Sequence, residues 1–158
     1  MTTVIGTSAR RADGTDKVRG AAVYGMDYTE PGTLAGKILR ATVPAARIVA
    51  VDTSKAEAMP GVRAVATAAD APGRSGMFFA LKDQTLFAVG EVSYIGEPLA
   101  AVAADTEEQA MAALAAVELA LEPFEPVLDP EQALSEEARL VHSDWESYET
   151  IMPAVRGG

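Results

Sequence analysis

The fold is decided by residues 92–105, VSYIGEPLAAVAAD, and by the alanine-rich stretch that follows them. Residues 99–104 are an unbroken apolar run of strand length, which is typical of a strand covered on both faces. Thr106 and Gln109 have the spacing of a capping box, which predicts that a helix begins directly after Thr106. Residues 117–123 then return to strand-like sequence. The region therefore predicts strand, turn, buried strand, helix and strand.

The predicted helix has the composition of a packing element. Glu107 and Glu108 place negative charge at the positive end of its dipole. The buried stripe is predicted to consist of Ala110, Met111, Leu114, Ala115 and Val117. Further alanines make the other faces apolar too, so we expect the helix to be covered on more than one side and to approach a sheet closely.

Outside this region the chain alternates short apolar segments with turn signals. Strands are predicted within residues 23–28, 34–42, 47–51 and 61–67. Turns are predicted at residues 11–14 and 17–20. A short helix is predicted after Ser54, which has capping-box spacing to Glu57, with its stop at Pro60-Gly61, and one more helical turn is predicted at residues 131–134. Because strands and helices do not alternate regularly, the sequence predicts an α+β fold.

Composition excludes several classes of function. The 158-residue chain has a net charge of -10, which argues against binding nucleic acid or anionic membrane surfaces, since both need clustered Lys and Arg. No apolar run approaches the roughly 20 residues that span a bilayer. The lack of cysteine excludes disulfides, thiolate catalysis, iron–sulfur ligation and cysteine zinc sites. It is compatible with a cytoplasmic protein.

Few residues could carry acid–base chemistry. Glu97 lies in a Gly-Glu-Pro turn, where a carboxylate could be a general acid or base, but turn carboxylates more often accept hydrogen bonds from nearby backbone amides. His142 is the only histidine and has Asp144 nearby, yet no nucleophile is visible beside it. We interpret it as a surface or interdomain histidine. A small acid–base enzyme around Glu97 and His142 is the weakest of three hypotheses.

The order of short motifs along the chain is more informative about function than the composition is. They are RADG (11–14), KVRGAAVY (17–24), LAGKILR (34–40), ARI (46–48), VDT (51–53), PGV (60–62), TAADAPG (67–73), YIGEPLAAV (94–102), EPFEPV (122–127) and VH (141–142). In this order and spacing they resemble the opening of the large, molybdenum-binding subunit of the xanthine dehydrogenase, aldehyde oxidase and carbon monoxide dehydrogenase family. The chain departs from many members at residues 41–46, ATVPAA, where they carry Ser-Pro or Ser-His.

The resemblance implies an a/b hammerhead domain, an α+β fold that agrees with the pattern of segments. Family members are oxidoreductases, the molybdenum hydroxylases, which hydroxylate aldehydes, purines or other heterocycles, or oxidise carbon monoxide, with water as the oxygen source. They use a molybdopterin cofactor and pass electrons to iron–sulfur clusters and FAD on partner domains or subunits. The implied partners are therefore the downstream molybdopterin-binding domains and the iron–sulfur and FAD subunits or domains.

The resemblance also implies domain boundaries for the chain and identifies candidate site residues. Residues 1–9 are expected to be a flexible lead-in, residues 10–150 the hammerhead domain, and residues 151–158 the start of a linker in a truncated or split chain. The family's cofactor-binding segments and catalytic glutamate lie downstream, so we expect no catalytic, cofactor-binding or metal-binding residue here. Met77 and Phe78 match an apolar pair that lines the substrate funnel in xanthine dehydrogenases. Internal packing of this pair is the alternative.

The leading hypothesis is a scaffold domain of a cytoplasmic molybdenum hydroxylase, which packs on the molybdopterin domains, forms one wall of the substrate funnel and is inactive alone. The alternative is a free-standing, non-catalytic interaction module that oligomerises through the same apolar face. In either case we expect a contiguous exposed apolar patch on the order of several hundred Å². The substrate, the electron acceptor and the oligomeric state are left open by the sequence.

Overall fold

The chain forms two compact units, Met1–Thr33 and Leu34–Gly158. The computed structural model describes residues 6, 8, 10–75, 82–142 and 147. Among these residues, no helix is both long enough and apolar enough to cross a membrane.

The first unit contains helix α1 (Gly14–Arg19) and a single 3₁₀ turn, Gly25–Asp27. The predicted turn at residues 11–14 is present, whereas residues 17–20 lie in the last turn of α1 and in its left-handed cap at Gly20. The strand predicted within residues 23–28 is wrong. The Tyr24 backbone amide donates to the Asp27 carboxylate over 3.0 Å, and this local bond closes the 3₁₀ turn that takes the strand's place.

The described residues of the second unit contain eight strands and three helices. In chain order they are β1 (Ala35–Arg40), β2 (Ala46–Asp52), α2 (Ser54–Glu57), β3 (Val62–Thr67), β4 (Arg74–Ser75), β5 (Gln84–Thr85), β6 (Glu91–Val92), β7 (Pro98–Ala104), α3 (Glu107–Ala116), β8 (Glu118–Pro123) and α4 (Pro130–Ala133). The strands predicted within 34–42, 47–51 and 61–67 are confirmed, as are the buried strand, the long helix and the final strand. The α+β prediction is confirmed.

The strands form three antiparallel sheets. The first sheet has the order β1–β7–β3, the second has the order β6–β2–β8, and β4 pairs with β5 in a two-stranded ribbon. β7 is the central strand of the first sheet, and four of its seven residues are buried. The apolar run that it was predicted from is therefore explained by neighbouring strands on both sides and by helix α3 on one face, whereas Ala101 and Ala103, on the other face, are only half-buried.

The core consists of two clusters joined by shared side chains. One lies around Leu99, Val92 and Ala46, and the other around Val102, Ala113 and Val117. Leu39 and Leu119 pack against both clusters and connect them. Nine of the 14 buried apolar residues given by the described ranges are alanines, so the core brings backbones close together and buries few large side chains.

Helix α3 is capped as predicted, but its buried stripe differs from the prediction. The Thr106 hydroxyl accepts from the Gln109 amide, and the Gln109 side chain accepts from the Thr106 amide in return. Ala110 and Ala113 are the fully buried residues, whereas Met111 is 53% exposed. Leu114 packs against the second core cluster from a half-buried position, whereas Ala115, which was predicted to be buried, is exposed. The fully buried positions of the helix are thus taken by alanine, which allows it to lie close to the sheet.

The short helix α2 starts one residue earlier than the sequence predicts. Its N-cap is Thr53, and the Thr53 hydroxyl donates to the Glu57 carboxylate over 2.6 Å. Ser54 is the first helical residue, and its backbone amide donates to the Asp52 carboxylate. The helix ends at Glu57 with Ala58 as its C-cap, before the stop predicted at Pro60-Gly61. Gly61 instead adopts φ +82° directly before β3.

Replacing Gly61 with alanine should destabilise the protein more than replacing Gly96. Both glycines have positive φ, +82° and +90°, so each alanine adds roughly 1–2 kcal/mol of backbone strain. Only at Gly61 would the new methyl group also collide with the Gln109 side chain, which caps α3. We expect Gly61→Ala to lower the free energy of unfolding by about 1 kcal/mol more than Gly96→Ala, measured by urea denaturation. Equal losses would contradict this role of Gly61.

The ion pair between Arg63 and Asp105 should make stability depend on pH. Arg63 bonds both carboxylate oxygens, over 2.7 and 2.8 Å, and this lowers the pKa of Asp105 below its ordinary value of 3.8. A lowered pKa in the folded protein stabilises it above pH 3.8, and the effect is lost as the pH falls through the folded value. We therefore expect Arg63→Gln to lower the urea midpoint at pH 7 and to match the parent at low pH.

The matched control for this titration is Arg40→Gln. Arg40 donates to the carbonyl of Gly96 over 2.8 Å, an acceptor that does not titrate. Its loss should lower the midpoint by a similar amount at every pH. A difference between Arg63→Gln and the parent that persists unchanged at low pH would show that the ion pair does not titrate.

Candidate functional site

A groove of about 370 Å³ lies at the Ala46 end of the second sheet. It is lined by Pro44, Ala45, Glu91, Val92, Ser93, Tyr94, Ile95, Phe124, Glu125, Pro126, Val127, Leu128, Arg139, Leu140 and Val141. Four stretches of chain build it: residues 44–45 before β2, β6 with the turn after it, the segment after β8, and residues 139–141. Pro123 is the last residue of β8, and the segment that carries Phe124 leaves the sheet after it.

Arg139 links three of the stretches that line the groove: its own segment, β6 and the segment after β8. Its guanidinium lies 3.9 Å from the centre of the Phe124 ring, a cation–π contact, and it forms an ion pair with Glu91. Phe124 is itself anchored by a hydrogen bond from its backbone amide to the carbonyl of Ala45, 3.3 Å long. The planar guanidinium therefore holds residues 139–141 against both the end of β8 and β6.

The groove presents apolar side chains to solvent. Tyr94 is 56% exposed, Ile95 66% and Leu140 59%, and Val141 is exposed as well. Its charged residues are Glu91, which Arg139 neutralises, and Glu125. An arrangement of this kind binds an apolar side chain or segment by burial.

Glu97 serves the turn that forms one wall of the groove. Its carboxylate accepts a hydrogen bond from the Ser93 amide, and its own carbonyl accepts from the Ala41 amide over 2.9 Å. Gly96 donates in return to the Ala41 carbonyl over 2.8 Å. The prediction that Glu97 bonds backbone amides is confirmed, and its carboxylate is a structural acceptor that ties residues 93–97 to the end of β1.

The remaining chemical candidates lie apart from one another. His142 is exposed at the end of the groove wall, and Asp144 lies outside the described residues. Glu107 forms an ion pair with Lys37, whereas the pKa of Glu108 is lowered by its own backbone amide and by Thr106. Within residues 10–75 and 82–142, no group of three or more His, Asp and Glu side chains could hold a metal ion.

The predicted funnel residues, Met77 and Phe78, lie outside the described residues, so their positions stay a prediction. In the described part of the chain, β4 and β5 pair in antiparallel fashion, with Arg74 opposite Thr85 and Ser75 opposite Gln84.

Sequence reasoning missed the groove because its contacts are long-range. Arg139 and Glu91 are 48 residues apart, and neither belongs to a periodic pattern. The sequence offered only an indirect signal, namely the prolines near the end of β8 and the aromatic and aliphatic side chains at positions 94–95 and 140–141. Such residues mark a surface, but only the folded chain brings them together.

Comparison with known protein families gives a single assignment. The model of the a/b hammerhead domain of aldehyde oxidase and xanthine dehydrogenase matches residues 19–125. A probable xanthine dehydrogenase subunit of Bacillus subtilis is 43% identical over 134 residues, which are 85% of this chain and 18% of that protein. The nicotinate dehydrogenase large molybdopterin subunit of Eubacterium barkeri is 36% identical over 141 residues, 89% of this chain and 33% of that protein.

The fold is shared with solved structures of the same group. The reconstituted CO dehydrogenase from Oligotropha carboxidovorans superimposes with a TM-score of 0.79 at 32% identity. The aligned region is 90% of this chain and 18% of that one. This chain thus spans from about a fifth to a third of the length of the proteins it resembles.

The contact between Arg139 and Phe124 should contribute measurably to stability. Arg139→Lys keeps the charge beside Glu91 but removes the flat surface that lies on the ring, so we expect a loss of about 0.5–1 kcal/mol in the free energy of unfolding. Arg47→Lys is the matched control, because Arg47 lies 3.6 Å from the Glu122 carboxylate with both side chains about two-thirds exposed. Equal, near-zero effects of both variants would contradict the contact.

Proposed function

The chain belongs to the aldehyde oxidase and xanthine dehydrogenase family, as its a/b hammerhead domain, and on this premise we propose that it is the scaffold domain of a molybdenum hydroxylase. Residues 10–150 act as one wall of the substrate funnel and pack on the molybdopterin domains. The complete enzyme hydroxylates an aldehyde, a purine or another heterocycle, or oxidises carbon monoxide, with water as the oxygen source. The chain alone is inactive.

The observation that carries the proposal is the coverage. The family match takes in residues 19–125, whereas the chain aligns with only 18% of the Bacillus subtilis relative and 18% of the solved CO dehydrogenase chain. The proteins that this chain resembles therefore contain several times as much sequence outside the aligned region as within it. In our proposal that other sequence binds the molybdopterin cofactor, and the iron–sulfur clusters and FAD are on partner domains or subunits.

The described residues do not fit a molybdopterin site. A cofactor with a phosphate and a pterin needs buried hydrogen-bond donors around it. The buried residues of the described ranges are all apolar, and the groove offers the carboxylates of Glu91 and Glu125. Its one guanidinium, on Arg139, is already engaged by Glu91 and Phe124. This supports a cofactor held entirely outside this domain.

The surface supports packing against other domains. Large apolar side chains are exposed along the groove and beyond it, including Tyr94 at 56%, Ile95 at 66% and Ile38 at 47%. Scattered apolar residues are ordinary on protein surfaces, but adjacent ones that line a groove mark an interaction site. A wall of a substrate funnel needs such a surface, because apolar side chains exclude water without competing for the substrate's polar groups.

The funnel proposal predicts a selective kinetic effect in the complete enzyme. Met77→Ala and Phe78→Ala, made in the full large subunit, remove apolar surface from the substrate path. We expect KM for an aldehyde or heterocyclic substrate to change by about tenfold, the usual effect of apolar groups lost from a pocket. The molybdenum content should stay at the level of the parent enzyme, which separates a funnel role from a folding role.

Leu134→Ala is the control, since Leu134 is 87% exposed beyond α4. It should leave KM and metal content unchanged. Unchanged KM in both funnel variants would overturn the assignment of Met77 and Phe78. Turnover or stoichiometric molybdopterin in the purified 158-residue chain would overturn the scaffold proposal itself.

A further inference from the structure

The segment that follows the second sheet is attached to it at two places. This segment, residues 125–141, contains α4 and is called the strap below. Directly before it, the Phe124 backbone amide donates to the carbonyl of Ala45 over 3.3 Å. Near its end, Arg139 forms an ion pair with Glu91 of β6, and its guanidinium lies 3.9 Å from the centre of the Phe124 ring. The strap is therefore a loop whose two ends are held at the same end of the second sheet.

Between these two places the strap bonds to itself. Four backbone amides donate to carbonyls three or four residues earlier within the strap, those of Ala133, Leu134, Ser135 and Ala138. The Asp129 carboxylate accepts from the Glu131 amide in the same way. Within residues 125–141, all of which the structure describes, Arg139 is the residue whose hydrogen bond or ion pair reaches outside the strap.

Burial adds little to the attachment of the strap. Residues 128–137 are all exposed, with Leu128 at 78% and Leu134 at 87%. A segment with so few buried contacts opens at a lower free energy than the core. Moreover, α4 has four residues, and isolated helices shorter than about 12–15 residues are marginal in water. The local hydrogen bonds of the strap therefore depend on both of its ends being held.

We propose that the strap opens and closes independently of the sheets, and that the contact of Arg139 with Glu91 and Phe124 is the latch that keeps it closed. Arg139, Leu140 and Val141 line the groove. The groove is complete in the closed state and loses this side in the open one. A ligand of the groove thus stabilises the closed strap, whereas a partner that binds Glu91 in place of Arg139 releases it.

The composition of the latch suits a contact that is made and broken repeatedly. The side chains of Arg139 and Glu91 are 45% and 43% exposed, so their ion pair is weak and is screened by salt. The flat contact with the Phe124 ring adds an attraction of similar size. The two contacts share one guanidinium, so both are lost when Arg139 moves away.

Hydrogen exchange measures the opening of the strap in the 158-residue chain. Peptides covering residues 129–138 contain the locally bonded amides, and peptides covering β7 report on the first sheet. Arg139→Gln removes both contacts of the latch. We expect the amides of residues 129–138 to exchange about tenfold faster in this variant, in quench-flow labelling read by mass spectrometry, while the β7 amides keep their rates.

Glu91→Gln is the second variant, because it removes the ion pair and keeps Arg139 on the ring. It should accelerate the same amides by about threefold. The matched control is Arg47→Gln, since Arg47 also forms an exposed ion pair on the second sheet, 3.6 Å from the Glu122 carboxylate. This control should leave the exchange of residues 129–138 unchanged.

Several results would overturn the latch. Unchanged strap rates in both Arg139→Gln and Glu91→Gln would show that other contacts hold the strap. An equal acceleration in β7, or in the strap of Arg47→Gln, would show that the strap opens only when the sheets loosen. Exchange at the rate of an unfolded peptide in the parent chain would show that the strap is not held closed. The latch depends on contacts within this chain, so it and the funnel role of Met77 and Phe78 can fail separately.

Discussion

The central position of β7 is the constraint on which the second unit depends. This strand hydrogen-bonds to β1 on one side and to β3 on the other, with Val102 paired to Lys37 and to Val65. A strand in that position needs small or branched apolar residues, because strands flank it on both sides and α3 packs on one of its faces. Its C-terminal end then fixes the next element: the Asp105 amide donates to the Gly61 carbonyl over 2.9 Å, and Thr106 caps α3 directly after it.

The use of alanine in the core follows from this arrangement. Alanine gives up little side-chain entropy on burial and lets α3 lie directly on the sheet, but it removes less apolar surface from water than leucine does. The described core accordingly has few large, fully buried side chains: Leu99, Val92 and Val102. A core of this kind places elements accurately while leaving much of the available burial energy at outer surfaces. Large apolar side chains at residues 94–95 and 140–141 are exposed, whereas most of the buried side chains are small.

The parts of the fold that the sequence predicts correctly are those set by local rules, such as the apolar run of β7 and the capped first turn of α3. The errors occur where packing or one hydrogen bond decides between similar conformations: Tyr24 belongs to an apolar segment, yet the Asp27 carboxylate bends it into a 3₁₀ turn. The groove brings Arg139, Phe124 and Glu91 together from three separate segments without local periodicity. This groove is not visible in a single sequence.

The scaffold hypothesis and the free-standing module differ in what a small apolar surface can achieve. An apolar surface on the order of several hundred Å² binds weakly between free molecules, since association first loses translational and rotational freedom. When the partner belongs to the same polypeptide, that loss is largely avoided, and a short link supplies an effective concentration in the millimolar range. The same residues that would give a weak, concentration-dependent dimer thus suffice to hold a tethered domain in place. A small apolar surface is therefore sufficient between domains of one polypeptide and insufficient between free molecules.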